Sequence, residues 1–499
     1  MRGLKQIAAD VRAGWRTAMA TPAYNSTGTG NATRGWDAVD AAINALIQGG
    51  GDLLTRQSRD MVRRNPWANN AAESFVSNAV GSGIVPQPKH PDPKTRDIIQ
   101  QLWLRSTDEA DASGLTDFYG LQSLACRSTI EGGESFLRLR PRFLADGLSV
   151  PLQGQLLESE YLPLIDSRVM PNGNTVRWGI EFDQIGRRVA YHMYREHPRE
   201  SQFFFNAGEK TVVVANQILH LFKPLRPGQQ RGQPWLTPVL LLLHTIEKYD
   251  RAELVRKGVA ALVAFFEEDM DGSGGPSVFG RGGETDESGT PLQGVEPGSY
   301  IQVRAGKKVE VSKPVDVGGM YVEFMRCQLR KVAAGLGITY EQLSGDLTGV
   351  NYSSIRAGLL EFRRRCEAFQ HQVLVYQFCR PWWRAWCTAA ALAGAIDRKE
   401  FASFPERYLD VEWSPPAWEW VDPLKDAEAE IALVDNLIKS RTQVIKGRGY
   451  DPEVVDREIA ADQEREDKLK LRRNEKAAAP TTGFPTDQKG PANEKTKAA

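Results

Sequence analysis

The stretch "SGDLTGVNYSSIRAG", residues 344–358, decides how the chain is read. Two glycines, an asparagine and a serine pair that opens an apolar helix have the look of a phosphate cradle. A P-loop needs G-x-x-x-x-G-K-[ST], because its lysine must reach the β- and γ-phosphates. Here the gap between Gly345 and Gly349 is too short, no lysine follows, and the preceding pattern is helical. The stretch is therefore expected to be a flexible helix-to-helix connection, with Asn351 or Ser353 as N-cap of the next helix.

Downstream, Ile355, Leu359, Phe362, Cys366, Phe369, Val373 and Tyr376 alternate steps of four and three residues, the spacing of a heptad seam. Pro381 is expected to kink this helix before the aromatic cluster Trp382, Trp383 and Trp386. Upstream, Val322, Met325, Leu329, Val332 and Leu336 predict a helix from about residue 317, capped by Gly335 and Gly337. An earlier helix is expected over 238–266, with i,i+4 pairs Glu247–Arg251 and Glu253–Lys257. Between these two helices lie a glycine- and acid-rich stretch and the strand-like "SYIQVRAGKKVEVS". Residues 134–222 break into short β-rich runs separated by Gly, Asn and Pro, which predicts a small β-domain, a barrel or a meander. Residues 52–80, 115–131 and 424–470 read as helical, and the fold class is α+β. The first 50 residues are expected to be flexible and 471–499 disordered.

Lysine plus arginine equals aspartate plus glutamate, 63 each in 499 residues, which argues against tight, phosphate-driven binding of nucleic acid. The five cysteines form no C-x-x-C, so neither a disulfide framework nor a structural zinc site is expected, and a reducing compartment is the simpler reading. Apolar runs fall short of the ~20 residues a membrane span needs, and the chain is expected to be soluble.

"EEDMDGSGG" (267–275) lacks the ligands of an EF-hand and reads as a solvated acidic turn. His192 and His197 do not make H-E-x-x-H and are expected at the surface or half-buried. Glu158 and Glu160 share a strand face by alternation, where a salt bridge is favoured over a metal. Arg363, Arg364 and Arg365 sweep about 200° of helix, so they cannot all face one groove. They suit a solvated face with ion pairs between subunits, or one arginine against DNA. No nucleophile elbow occurs. No catalytic group, cofactor or metal is expected.

Several phrases taken together resemble the lambda family of bacteriophage portal proteins. They are "SRDMVRRNPWANNAAESFVSNAVGSGIVPQP" (58–88), "ADASGLTDFYGLQSLACRSTIEGGESFLRLRP" (110–141), "LLESEYL" (156–162), "GIEFDQIGRRVAYHMYREHP" (179–198), "ILHLFKPLRPGQQRGQPWLTPVL" (218–240) and "GVNYSSIRAGLLEF" (349–362). The resemblance implies a ring, typically of twelve copies, at one capsid vertex. Double-stranded DNA is packaged through it by the terminase large subunit and later ejected. The major capsid protein and head–tail adaptors are the other implied partners, and the virion is the implied location, with assembly in the host cytoplasm. Another head–tail connector ring is the alternative, and a phage nuclease or protease a weaker one.

Laid on this chain, the resemblance implies a wing over 51–236, a first stem helix over 237–266, a clip over 267–316 and a second stem helix over 317–336. A tunnel loop over 337–351 would follow, then a long kinked helix and connector over 352–423 and a crown over 424–470. The loop residues expected to line the DNA channel are Ser344, Asp346, Leu347, Thr348, Val350 and Asn351. Lys248, Arg251, Arg256 and Lys257 would be the stem charges. Ile355, Leu359, Phe362, Phe369, Trp382 and Trp383 would form the seam between subunits. A lysine-free loop suits sliding, since fixed cations would trap a duplex carrying one charge per ~1.7 Å, and Asp346 would repel its phosphates.

Overall fold

The computed structural model describes residues 40–200, 209–261, 265–269, 284–285, 291–292, 307–311, 321–349, 352–418 and 423–471. They fall into two units, one ending at Pro416 and the other beginning at Ala417.

The first unit opens with α1 (Ile43–Arg64) and α2 (Pro66–Ala79). The earlier start corrects the expectation of a flexible segment to residue 50; residues 1–39 lie outside the described set. Asn65 separates the two helices, and its side chain accepts from the amides of Trp67 and Ala68, with Pro66 at the first turn. Strand β1 (Val85–Pro88), α3 (Pro93–Thr107) and α4 (Phe118–Gly132) follow. Gly133 (φ +88°) ends α4 in the left-handed region and turns the chain into β2 (Glu134–Pro141).

The β-region resolves into two antiparallel sheets. In the first, β2 lies between β3 (Leu152–Glu158) and β9 (Ile218–Phe222), with Phe136 opposite Leu157 on one side and His220 on the other. The second is a five-stranded meander of β4 (Arg168–Val169), β5 (Thr175–Arg177), β6 (Ile180–Phe182), β7 (Arg188–Tyr194) and β8 (Lys210–Val214), in chain order. Phe136, Leu157, Ile180, Tyr191, Met193 and Val213 form the core of this region.

A buried polar hub underlies it. Glu134 accepts from Arg231 Nε at 2.7 Å and from Gly232 N at 2.7 Å, and His220 Nε2 lies 2.9 Å from it. Arg231 also donates to the carbonyls of Trp178 and Leu162 at 2.8 and 2.9 Å. Burial pushes the Glu134 carboxyl up, but the Arg231 charge and the His220 hydrogen bond overcome it and hold it at about 2. Burial pushes His220 down to about 4 against the pull of Glu134, so its imidazole is neutral at pH 7. A second arrangement of this kind links Glu181, His192 and Arg168, at 2.9 Å on each side of the ring. His192 is buried, which corrects the expectation of a surface or half-buried position.

Next come α5 (Leu240–Ala261), β10 (Phe265–Asp269), the short β11 (Glu284–Thr285) and β12 (Pro291–Leu292), β13 (Lys307–Val311) and α6 (Tyr321–Leu336). The helix expected over 238–266 thus stops at Ala261, because Phe265–Asp269 pairs antiparallel with Lys307–Val311 instead. Glu267, Glu268 and Asp269, expected in an acidic turn, thus lie in β10 opposite Val309, Lys308 and Lys307; the rest of that turn, 270–275, and the remainder of the insertion apart from β11, β12 and β13 lie outside the described residues.

After α7 (Tyr340–Ser344), α8 (Tyr352–Phe369) runs into a π-helical segment, Gln370–Cys379, and then α9 (Arg380–Ala393). Pro381 lacks an N–H, and its ring would strike the carbonyl of Gln377 in a regular helix. The chain widens before it, and Arg380 N–H bonds Val375 O, five residues back. Gln377 then caps the strand edge, accepting from Phe222 N at 2.9 Å and donating to Phe222 O at 3.0 Å.

The aromatics of this helix pack inside their own chain. Phe75 meets Phe369 edge-on at 5.3 Å and Phe362 at 6.2 Å. Trp103 lies 5.2 Å from Trp383 and 5.3 Å from Trp386, and Phe118 lies 5.2 Å from Trp382. Full burial of one such side chain is worth roughly 1.5–3 kcal/mol. Helices α10 (Arg398–Ser403) and α11 (Pro405–Leu409) lead to β14 (Val411–Ser414), which returns to pair with β1.

The second unit holds α12 (Pro423–Asp435), α13 (Arg441–Gly447) and α14 (Pro452–Leu469). None of its described residues is buried, and Leu437 is 92% exposed. Among the described residues, no helix is long and apolar enough to cross a membrane.

Candidate functional site

Helices α5 and α6 pair side by side, and the opening stretch follows directly from the second. Tyr249 and Phe324 join them at 4.8 Å, and Tyr321 OH donates to Asp250. That bond, with burial beside it, pushes the Tyr321 hydroxyl up to about 12. Met325, Leu329, Val332 and Leu336 form the buried stripe of α6, whereas Val322 is 59% exposed. Gly337 (φ +73°) is the left-handed residue that stops α6. Gly335 lies inside the helix, where a Cβ would come within 2.5 Å of Val239 Cγ1; close packing, not capping, requires it.

The connection expected at 337–351 is partly helical. Thr339 and Gln342 form a reciprocal capping box that starts α7. Asn70 on α2 donates to the carbonyls of Gln342 and Leu343 at 2.7 and 3.0 Å, so the end of α7 is held by a helix far away in sequence. Ser344 Oγ donates to Tyr340 O and accepts from Asp346 N. Asp346 accepts from Thr348 N at 3.0 Å, Thr348 Oγ1 and Tyr340 OH at 3.1 Å, and Arg326 lies 3.5 Å away. The Thr348 hydroxyl and amide, ahead of Tyr340 and Arg326, hold its carboxyl down at about 2. Asp346 is therefore an ionised internal staple of the loop, bonded to its neighbours instead of projecting freely. Leu347 (66% exposed), Thr348 and Gly349 form the tip, and Val350 and Asn351 lie outside the described residues.

The stem charges are largely matched within their own helix. Arg251 pairs with Glu247, Arg256 with Glu253 at 2.6 Å, and Lys257 lies 4.0 Å from Glu253 and 5.0 Å above the Tyr321 ring. Lys248 is exposed and makes no ion pair among the described residues.

The residues expected at a subunit seam separate into two groups. Ile355 and Leu359 are half-buried, whereas Phe362, Phe369, Trp382 and Trp383 are buried in the core of their own chain. That correction has a simple cause: a heptad pattern reports an apolar partner without saying which chain supplies it. Glu158 and Glu160 are bridged by Arg59 Nη1 at 3.0 and 2.6 Å, the expected salt bridge. His197 stands beside them, but the guanidinium already occupies the place a cation would take.

The model of the phage portal protein, lambda family, matches residues 29–370. The chain belongs to that family. It is 26% identical over 421 residues to the "Probable portal protein" of Halomonas phage phiHAP-1, covering 82% of this chain and 80% of the relative. It is 22% identical over 473 residues to the "Portal protein" of Escherichia phage N15, covering 88% of each. A solved structure described as the neck of a native gene transfer agent particle, computed with C12 symmetry, matches at 15% identity and a TM-score of 0.44, covering 80% of this chain and 93% of that one. This portal chain accordingly works as an oligomeric component of the phage capsid vertex in DNA packaging. Arg326, Tyr340 and Asn70, which shape the loop, went unnoticed in sequence. The Thr339/Gln342 spacing was a readable signal of a helix start, but the clamp from Asn70 had none.

Proposed function

We propose that residues 337–351 form the tunnel loop of a twelve-membered ring, with Leu347, Thr348 and Gly349 facing the passing duplex. Helices α5 and α6 are the stem, and the insertion between them is the clip that receives the terminase large subunit and later the adaptors. The wing meets the major capsid protein. One observation supports the reading: the tip Leu347–Gly349 carries no charged side chain, while the neighbouring Asp346 carboxylate is tied inward by Thr348, Tyr340 and Arg326. Such a tip gives the phosphates no fixed counter-charge to hold them, and DNA slides past interchangeable weak contacts.

Packaging into proheads that carry Asp346→Lys portals tests this. The substitution sets a second cation beside Arg326, frees the tip and offers phosphates an anchor. Rings visible by negative stain, with slowed or stalled packaging, are the expected outcome. Packaging at normal speed overturns the assignment.

A further inference from the structure

The portal role accounts for the loop and the stem, but not for a pair of arginines in the β-region. Phe136, Arg138 and Arg140 alternate along one face of β2. Strand β9 covers β2 only as far as Arg138, which pairs with Ile218, while β3 continues alongside to Pro141. Beyond Arg138 the β2–β9 ladder ends, and the turn Ala215–Gln217 lies alongside β2 without pairing to it. Directly opposite on β3 stand Gln155 and Gln153, neutral amides. Both arginines are half-buried. Burial, and then the like charge of Arg140, lowers the pKa of Arg138, so the two guanidiniums feel each other.

No carboxylate among the described residues lies within ion-pair distance of either arginine. Four other arginines of the β-region are matched, Arg168 with Asp166, Arg187 with Asp183, Arg195 with Glu209 and Arg231 with Glu134, and Arg188 is instead held by the Gln230 amide oxygen at 2.9 Å. Glu109, whose carbonyl accepts from Gln153 opposite Arg140, has its carboxylate occupied by the Ser149 amide and hydroxyl at 2.7 and 3.0 Å. Arg142, next in the row, donates Nε to Gln153 at 2.7 Å and makes no ion pair among the described residues. Half-buried like charges without a counter-ion are costly, and an arriving anion relieves that cost.

We propose that Arg138 and Arg140 form a sequence-independent binding site for the phosphate backbone of duplex DNA, separate from the channel loop. Residues two apart on a strand stand roughly 7 Å apart, which suits a row of repeated phosphates better than one carboxylate. Guanidinium forks match phosphate oxygens, and such contacts position a duplex without reading bases. DNA is favoured over an acidic face of a neighbouring subunit because the conspicuous acid pair of this region, Glu158 and Glu160, is already bridged by Arg59. The proposal rests on the portal role of the chain and on nothing in the loop assignment, so the Asp346→Lys packaging result bears on the loop alone.

The test uses assembled rings of the full chain and a labelled random-sequence 30-base-pair duplex, followed by fluorescence anisotropy at about 50 and 150 mM salt. Each lost phosphate contact lowers the salt slope by about 0.9. For Arg138→Gln/Arg140→Gln, binding at low salt is weakened, and the wild-type advantage shrinks about sevenfold when salt is tripled. Arg138→Lys/Arg140→Lys keeps the charges and retains the wild-type slope. Unchanged affinity and slope in the glutamine variant overturn the proposal. Loss of rings in that variant overturns it too, since the arginines then serve a neighbouring subunit.

Discussion

Replacing Glu134 with Gln keeps the shape of the hub and removes its charge. Arg231 is then left 2% exposed with carbonyls as its remaining partners, and the Gly232 amide and His220 lose an ionised acceptor. Removing one member of a buried ion pair costs about 3–5 kcal/mol, mostly because the other charge stays buried and unpaired. For a region of this size each kcal/mol moves the melting midpoint by about 2–4 °C. Glu134→Gln rings should therefore melt about 6–20 °C below wild type by scanning calorimetry, with β2 and β9 losing amide protection first. Adding Arg231→Met to that variant should restore part of the loss. A single variant that melts within about 1 °C of wild type would refute the reasoning.

The same hub sets a pH dependence. The folded-state pKa of His220 lies at about 4, below its unfolded value, so the unfolded chain binds more protons between about pH 6.5 and 4. Stability should fall with acidification across that window. Glu134, held at about 2, adds a further loss as pH drops below about 4.5. A His220→Gln variant should flatten the upper part of the profile, read as melting midpoint against pH. Trp383→Ala should cost about 3–5 kcal/mol and erase near-ultraviolet dichroism of the subunit, instead of yielding a folded monomer that merely fails to form rings. Asn70→Ala should leave melting little changed while amide exchange at 340–349 accelerates, because it removes only the clamp on α7. Gly335→Ala should destabilise by about 1–3 kcal/mol in the same calorimetric assay, as its new methyl meets Val239.

Local chemistry was legible in sequence wherever it is periodic. The buried stripe of α6 from Met325 to Leu336 was read directly, as were the Glu247–Arg251 and Glu253–Lys257 pairs and the serial short strands of the meander. What escaped depends on which surface each element meets. Phe362 and Trp383 show the same apolar spacing whether they fill a core or a seam, so only the packed chain tells them apart. Asp346 has a local partner in Thr348, two residues on, but Arg326 and Tyr340 reach it from two different helices and leave no sequence signal. The hub is the extreme case. Glu134, His220 and Arg231 are brought together by strand register and by a glycine crossing, where a Cβ on Gly232 would lie 2.1 Å from Gly133 O.

The ten-residue π-helix has its own consequence. Both of its ends are docked, at Gln370 to the Ala79 carbonyl and at Gln377 to Phe222, and the tryptophans beyond it are locked in the core. Each helical residue turns the chain by about 100°. Deleting a single amino acid here would therefore swing Trp382, Trp383 and Trp386 off their pockets or tear Gln377 from its strand. The wide coil works as a phase adjuster, a splice that lets one continuous rod satisfy two angular registers its seven-residue repeat alone could not reconcile.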